Sequence, residues 1–498
     1  MPESTAPAAE PSTHPALPPA TGRRVLVNTG ALTSASLWRI AMSFVLQLLI
    51  ARRLGIEALG IYTTAMAYLN VSQVFTELGL PALLVRDLAQ DPAHRRSYFQ
   101  RMLVLQVAAG LAVWGALALL GGVLPYTAAT TAALWLVGAS LPLFAISSAC
   151  HTLFQAGERM ELVFGVEVAI NALILAASIA LMWQGYDVVA LVGLIVATQF
   201  VSAAVSLLLL ARSKLLRPPQ EPAAAPFPRL LRRTAPFLGL AVGDVLLQRL
   251  DILLLSVVAG PAVIGVYSAA YNLVRVAFKL VQSFWRALYP TLSRLHRQAP
   301  ANYARLARLG LRYSLLALLP LAAVGAAVAD GVLHLIYGAD YLVSATVLQV
   351  SIWTIPLFLL EIYAITLLMV EHKLRAALWV TGVHLTLTFL LLPPLAVASG
   401  ATGAALAVLA AGMAGAALGC LLLWRGGLPF RLEQWWIMLA ASGGAGLVAV
   451  LLPAPWPAQA AAGLGIYAAF IWVTGVLSWR DFRSLRQIIA GGRGVNDL

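Results

Sequence analysis

Residues 244–290 read DVLLQRLDILLLSVVAGPAVIGVYSAAYNLVRVAFKLVQSFWRALYP. Two apolar runs flank the turn Ala259-Gly260-Pro261, the pattern of a hairpin of two helices that cross a bilayer. Charges nevertheless sit inside both arms. In the second arm Arg275, Lys279, Gln282 and Arg286 fall at i, i+4, i+7 and i+11, which at about 100° per residue confines them to a strip roughly 60° wide. In the first arm Asp244, Gln248 and Asp251 follow i, i+4, i+7. Ionisable groups are costly in hydrocarbon and face a partner or a watered cavity. Two facing polar stripes therefore predict a polar cavity inside a helix bundle.

The rest of the chain agrees. Of its 498 residues 61% are hydrophobic and only 11% charged, too few charges to solvate a soluble surface and enough apolar length for many spans. The predicted fold class is an all-α polytopic membrane protein. The net charge of +13 does not point to nucleic acid, because no long basic block with interleaved aromatics exists. Cys150 and Cys420 both lie in apolar runs, which supports neither a disulfide framework nor a thiolate metal site. No P-loop, GxSxG elbow or HExxH pair is present, so the chain is expected to be no enzyme and to use no cofactor or metal.

Residues 1–22 are rich in Pro, Ala, Ser and Thr and are predicted to form a disordered cytoplasmic tail. Fourteen apolar stretches follow, at about 25–50, 58–84, 99–124, 129–154, 162–183, 188–211, 234–259, 263–289, 309–334, 342–370, 374–397, 401–424, 433–452 and 457–479. With a cytoplasmic N-terminus, 26 of the 33 Lys and Arg residues fall in inner segments, and only Arg52 and Arg53 in outer loops. Such a bias predicts an even number of helices with both termini cytoplasmic. The Pro-rich segment 212–233 divides an N-terminal lobe, 23–211, from a C-terminal lobe, 234–424. Residues 425–498 add two spans and a cytoplasmic tail.

The lobes look duplicated. Gly55, Gly60 and Tyr62 recur 205 residues later as Gly260, Gly265 and Tyr267, and the same offset carries Tyr98 onto Tyr303. Several matches at one offset argue for an internal repeat. It aligns Arg39 with Asp244, Asn70 with Arg275 and Glu77 with Gln282. Span one carries its own polar strip, with Asn28, Ser36, Arg39, Ser43 and Gln47 within about 100° of one another. Two pseudo-symmetric half-bundles would then line one cavity near the midplane, as repeat-built transporters do.

RLDILLLSVVAGPAVIGVYSAAYNLV, the segment IARRLGIEALGIYTTAMAYLNVSQVFTELGLPALLVRDLA and the short loops AGERMEL and VEHKLRA resemble the polysaccharide transport branch of the multidrug/oligosaccharidyl-lipid/polysaccharide exporter superfamily, the Wzx-like O-antigen flippases. The resemblance spans about 23 to 480. It implies two six-helix lobes plus two C-terminal helices in the bacterial cytoplasmic (inner) membrane. It further implies export of an undecaprenyl-diphosphate-linked oligosaccharide for surface polysaccharide such as lipopolysaccharide O-antigen or exopolysaccharide. A polymerase and glycosyltransferases of the same pathway are implied partners. Related members carry lipid-linked peptidoglycan precursor, and more distant ones export cationic drugs.

A diphosphate-linked glycan needs a cationic, hydrogen-bonding cavity open sideways to lipid for its tail. Arg39, Arg249, Arg275, Lys279 and Arg286 are the candidate substrate-binding cations, with Arg275 and Arg39 foremost, since arginine offers a planar fork to phosphate oxygens. Other roles stay open: Arg39 paired with Asp244, Arg249 paired with Asp251 or a carbonyl, and Arg286 reaching the headgroups. The acids Glu77, Glu167, Asp244, Asp251 and Glu361 either hold a coupling ion or balance the arginines. His384 is either a proton relay or a satisfied buried imidazole. Trp435, Trp436, Trp472 and Trp479 fit an interfacial aromatic belt.

Overall fold

In hydrocarbon every backbone N–H and C=O needs an internal partner, and a sequence of long apolar runs meets that demand as helices. The computed structural model describes residues 19–90, 95–213, 215, 227–430 and 434–475, with side chains from Trp38 onward except at 89, 90 and 227–229. The described residues form helices and no strand. Residues 1–18 of the predicted tail (1–22), 214 and 216–226 of the predicted linker (212–233), and 476–498 with Trp479 lie outside them.

The first half of the chain contributes α1 (Pro19–Glu77), α2 (Leu80–Gln90), α3 (Arg95–Val123), α4 (Ala128–Ala156), α5 (Met160–Trp183) and α6 (Val188–Arg212). The second contributes α7 (Phe227–Val258), α8 (Pro261–Gln298), α9 (Pro300–Ala327), α10 (Ala329–Ile336), α11 (Ala345–Ser351), α12 (Thr354–Val370) and α13 (Leu374–Arg425), with a 3-10 turn at Ala339–Ser344. Two last helices follow, α14 (Trp435–Leu451) and α15 (Trp456–Val473).

Helix α1, at 59 residues, and α13, at 52, each exceed two bilayer cores at about 1.5 Å per residue. Each is broken once. Gly55 interrupts α1 at φ 85°, a backbone shape that glycine adopts without a Cβ penalty, and α13 breaks at Ser399 and Gly400. Counting each as two passes and the segment from the 3-10 turn through α12 as one, and leaving out α2 and α10, which at 11 and 8 residues are too short to cross, the described residues give the fourteen spans predicted. Residues facing lipid are bare, as Val123 and Val397 show at 82% and 73% exposed.

Several boundaries differ from expectation for local reasons. Helix α8 continues past 289 to Gln298 and α9 starts at Pro300, because Leu292 and Leu306 are buried and keep this polar stretch packed as helix. The predicted span 342–370 is interrupted between α11 and α12, where Pro356 lacks the N–H that would bond back one turn. Helix α7 begins at Phe227 rather than 234, with Pro228 in its first turn, where proline is tolerated.

Within the first half α4 packs on α3 and α6, and α1 crosses α3, α4, α5 and α6. In the second half α13 packs on α7 and α12, and α8 on α11 and α12. Helices α14 and α15 lie on α9, where Tyr467 donates to the Leu316 carbonyl at 2.8 Å. The main bridge between halves is α1 against α8, sharing a core of Leu59, Tyr62 and Ala65 with Ile264, Tyr267 and Ala270.

Candidate substrate site

The α1–α8 bridge is built by the repeat. A methyl group on Gly60 would stand 1.8 Å from the Pro261 carbonyl oxygen, and one on Gly265 2.0 Å from that of Ile56. Both pairs are related by the offset of 205, since 56 maps onto 261 and 60 onto 265. A local two-fold therefore passes between these glycines, where the two backbones touch. Around it, at the distal end of the bundle, where α1 breaks at Gly55 and α7 turns into α8, Tyr126 bonds Tyr68 at 2.7 Å and Ser256 at 3.1 Å. Tyr341 donates to the Ala51 carbonyl at 3.3 Å. Arg52 donates to the last carbonyls of α10, Ile336 at 2.6 Å and Leu335, where a cation meets the negative end of the helix. This distal end is shut.

The halves also meet at the basal end. Gly79 turns at φ +70° with its α-carbon against α7, so that a methyl there would stand 2.7 Å from Leu238 N and 3.0 Å from the Thr234 carbonyl. Arg233 of α7 reaches Asp87 of α2 at 2.6 Å, and Arg86 lies 5.8 Å from the ring centre of Phe237. Exposed pairs of this kind contribute roughly 0.2–1 kcal/mol. Asp87→Asn is accordingly expected to change thermal stability by no more than a couple of degrees; a collapse of the folded protein on heating scans would show that the pair holds the fold rather than a movable contact.

Between these ends lies the polar strip. Arg275 is half-buried on α8, donates to Asn272 Oδ1 and sits 5.7 Å from the Tyr271 ring centre. Asn272 donates to Gln47 of α1 at 2.8 Å, and Gln47 to Ser43 at 3.1 Å, so a hydrogen-bonded row runs from Arg275 across to the first half. Lys279 donates to Gln248 Oε1 at 2.7 Å, and Gln248 to Asp244 at 2.9 Å. Arg249 shares the electrostatic neighbourhood of Arg275, Asp251 and Tyr62. Arg39 and Arg286 are exposed.

Two of the pairings left open by the sequence are not among the ion pairs of the described residues. Arg39 forms no ion pair with Asp244, whose carboxylate instead accepts from Gln248 one turn away. Arg249 forms none with Asp251, which accepts from Tyr267 at 2.8 Å. Among the described residues none of Arg39, Arg249, Arg275, Lys279 and Arg286 makes an ion pair with a carboxylate. Glu77 stays in the first half, taking a 2.9 Å bond from Ser148 away from the arginines. Glu361 bonds His384 at 2.9 and 3.1 Å.

Sequence reasoning missed three features: the Tyr68–Tyr126–Ser256 row, the Gln47–Asn272 bridge and the Glu361–His384 partnership. Only the last had a signal, an acid and a histidine each stranded in an apolar run. A polar recess at the distal end, lined by Thr64, Tyr126, Thr127, Thr130 and Ser256, carries no charge and is not the cationic cavity predicted.

Fourteen helical passes in two related halves, with cations between them that make no ion pair among the described residues, are the architecture of a membrane transporter. Residues 25–296 match the family model described as polysaccharide biosynthesis protein, and the chain belongs to that family. No curated protein matches the chain. Among solved structures it is similar to the lipid II flippase MurJ in an inward closed conformation, at 14% identity and TM-score 0.68, over 91% of this chain and 99% of that one. It is also similar to an inward-facing multidrug resistance MATE family transporter of the MOP superfamily, at 12% identity and TM-score 0.61, over 78% and 93%. The bent form of the Vibrio cholerae MATE transporter VcmN matches at 16% identity and TM-score 0.50, over 83% and 99%. At these identities the likeness is one of fold: an all-helical, multi-pass membrane protein of the flippase and exporter type.

Proposed function

We propose that this chain is a flippase for undecaprenyl-diphosphate-linked oligosaccharide in the bacterial cytoplasmic membrane, with both termini cytoplasmic, working by alternating access between lobes 23–211 and 234–424. The observation that carries the proposal is the set of cations between the halves that make no ion pair with a carboxylate among the described residues. A cation left so in a membrane interior calls for an anion, and a diphosphate supplies one. Arg275 is the first contact, with Lys279 and Arg249 beside it and Arg39 and Arg286 toward the openings. The family description supports a glycan. The arginine-rich basal end supports its cytoplasmic placement. Contacts at both ends of the bundle fit a closed intermediate from which either end opens. A polymerase and glycosyltransferases are the partners such a cargo requires.

A second reading, a lipid-linked peptidoglycan precursor as cargo, is favoured by the fold likeness to a lipid II flippase. Binding to the purified protein separates the two. Tight binding of the oligosaccharide diphosphate lipid over lipid II and over undecaprenyl monophosphate supports the first; preference for lipid II moves the assignment to the second; binding of cationic dyes alone would contradict both.

A further inference from the structure

Glu361 of α12 is 6% exposed, and both of its carboxylate oxygens lie within hydrogen-bond distance of His384 Nδ1 on α13. The second arm of α13 closes over the pair and leaves a notch for it. A methyl group on Gly415 would stand 1.8 Å from Glu361 Oε1, and one on Gly412 4.0 Å from His384 Cε1. A carboxylate and an imidazole so joined hold one proton between them and accept a second, so the charge of the pair changes by one on proton uptake.

The surroundings bear on that charge. From α7, Asp251 faces His384. From α8, Tyr271 is acted on by Asp251, Glu361 and Arg275 together. On α9, Arg308 lies toward Tyr363, while α11 has no titratable side chain. Helices α8 and α12 run parallel through two ring contacts, Phe278 on Phe358 at 4.4 Å and Trp285 on Tyr363 at 5.1 Å. Arg275 is one turn from Phe278 and Glu361 one turn from Phe358, which separates Arg275 from the pair by on the order of 10 Å.

We propose that the Glu361–His384 pair is a proton-binding site linked to cargo binding, taking up a proton when an anionic diphosphate settles on Arg275. The proposal rests on a diphosphate lipid as cargo. In the free protein the charge of Arg275, about 10 Å away, opposes an extra proton on the pair, and Asp251 favours it. A bound diphosphate neutralises the arginines and adds negative charge, so the proton moves from water onto the pair. No covalent bond changes. Linkage is reciprocal: lowering the pH tightens cargo binding, by roughly tenfold for unit charges at this separation in an effective dielectric of about 20.

The test is titration calorimetry of the full-length protein in detergent with undecaprenyl-diphosphate oligosaccharide, between about pH 6 and pH 8, in two buffers of different ionisation enthalpy. Wild type is expected to take up protons on binding and to bind roughly tenfold tighter at the acid end. Glu361→Gln keeps an acceptor for His384, and Glu361→Gln and His384→Asn are each expected to bind with no proton uptake and a flat pH profile. Uptake unchanged in both variants, or binding by wild type without uptake, overturns the proposal. Failure of wild type to bind any diphosphate lipid removes the cargo assignment instead. The pair is then judged by the His384 ring resonance: a titration displaced by Glu361→Gln supports a shared proton, and an identical titration in both proteins overturns it.

Discussion

Arg275→Ala is expected to lower the rate of cargo movement by about two orders of magnitude while membrane insertion and folding persist. Charge-assisted hydrogen bonds to a phosphate are worth roughly 1.5–3 kcal/mol, and Arg275 has no carboxylate partner among the described residues whose loss would leave a buried anion behind. Its contacts are Asn272 Oδ1 and the face of Tyr271, neutral groups that tolerate its removal. Arg275→Lys keeps the charge but not the fork, and is expected to recover part of the rate. Transport at the wild-type rate by an inserted Arg275→Ala protein would remove this residue from the site.

Gly265→Leu is expected to have the other large effect, on conformation. Even a methyl there meets the Ile56 carbonyl at 2.0 Å, and its repeat mate Gly60 meets that of Pro261 at 1.8 Å. Both obstacles are backbone and cannot rotate away. Overpacking ordinarily costs about 1–3 kcal/mol, so closure of the distal end should become unfavourable by about that much or more, and the halves should separate there. Spin labels at Val123 and Val343, exposed on opposite halves, with Cys150 and Cys420 replaced by Ser, would report a longer distance in Gly265→Leu than in the parent. An unchanged distance would show that the glycine crossing is not the closure.

The same crossing shows how the sequence carries the fold. Apolar runs make the spans readable because lipid demands helices, and the offset of 205 puts Gly60 and Gly265 in correspondence in the sequence itself. Correspondence is not contact, however. Equivalent residues meet only where the two-fold axis passes between them, as it does for these glycines; Arg39 and Asp244 are equivalents without an ion pair, and Gln248, one turn along the same helix, satisfies Asp244 locally. The partnership of Glu361 with His384 joins residues 23 apart on different helices, and depends on Gly415 of a third arm leaving room. Helical periodicity places each group on a face but does not say which face it meets.

The central claim is that the cations between the halves serve a lipid-linked anionic glycan. The most direct measurement is a leaflet assay in liposomes reconstituted with the protein, following the exposure of a labelled undecaprenyl-diphosphate oligosaccharide. Protein-dependent movement in wild-type vesicles, lost in Arg275→Ala vesicles, is the predicted result. No movement of any lipid-linked sugar, alongside protein-dependent efflux of a cationic dye, would contradict it.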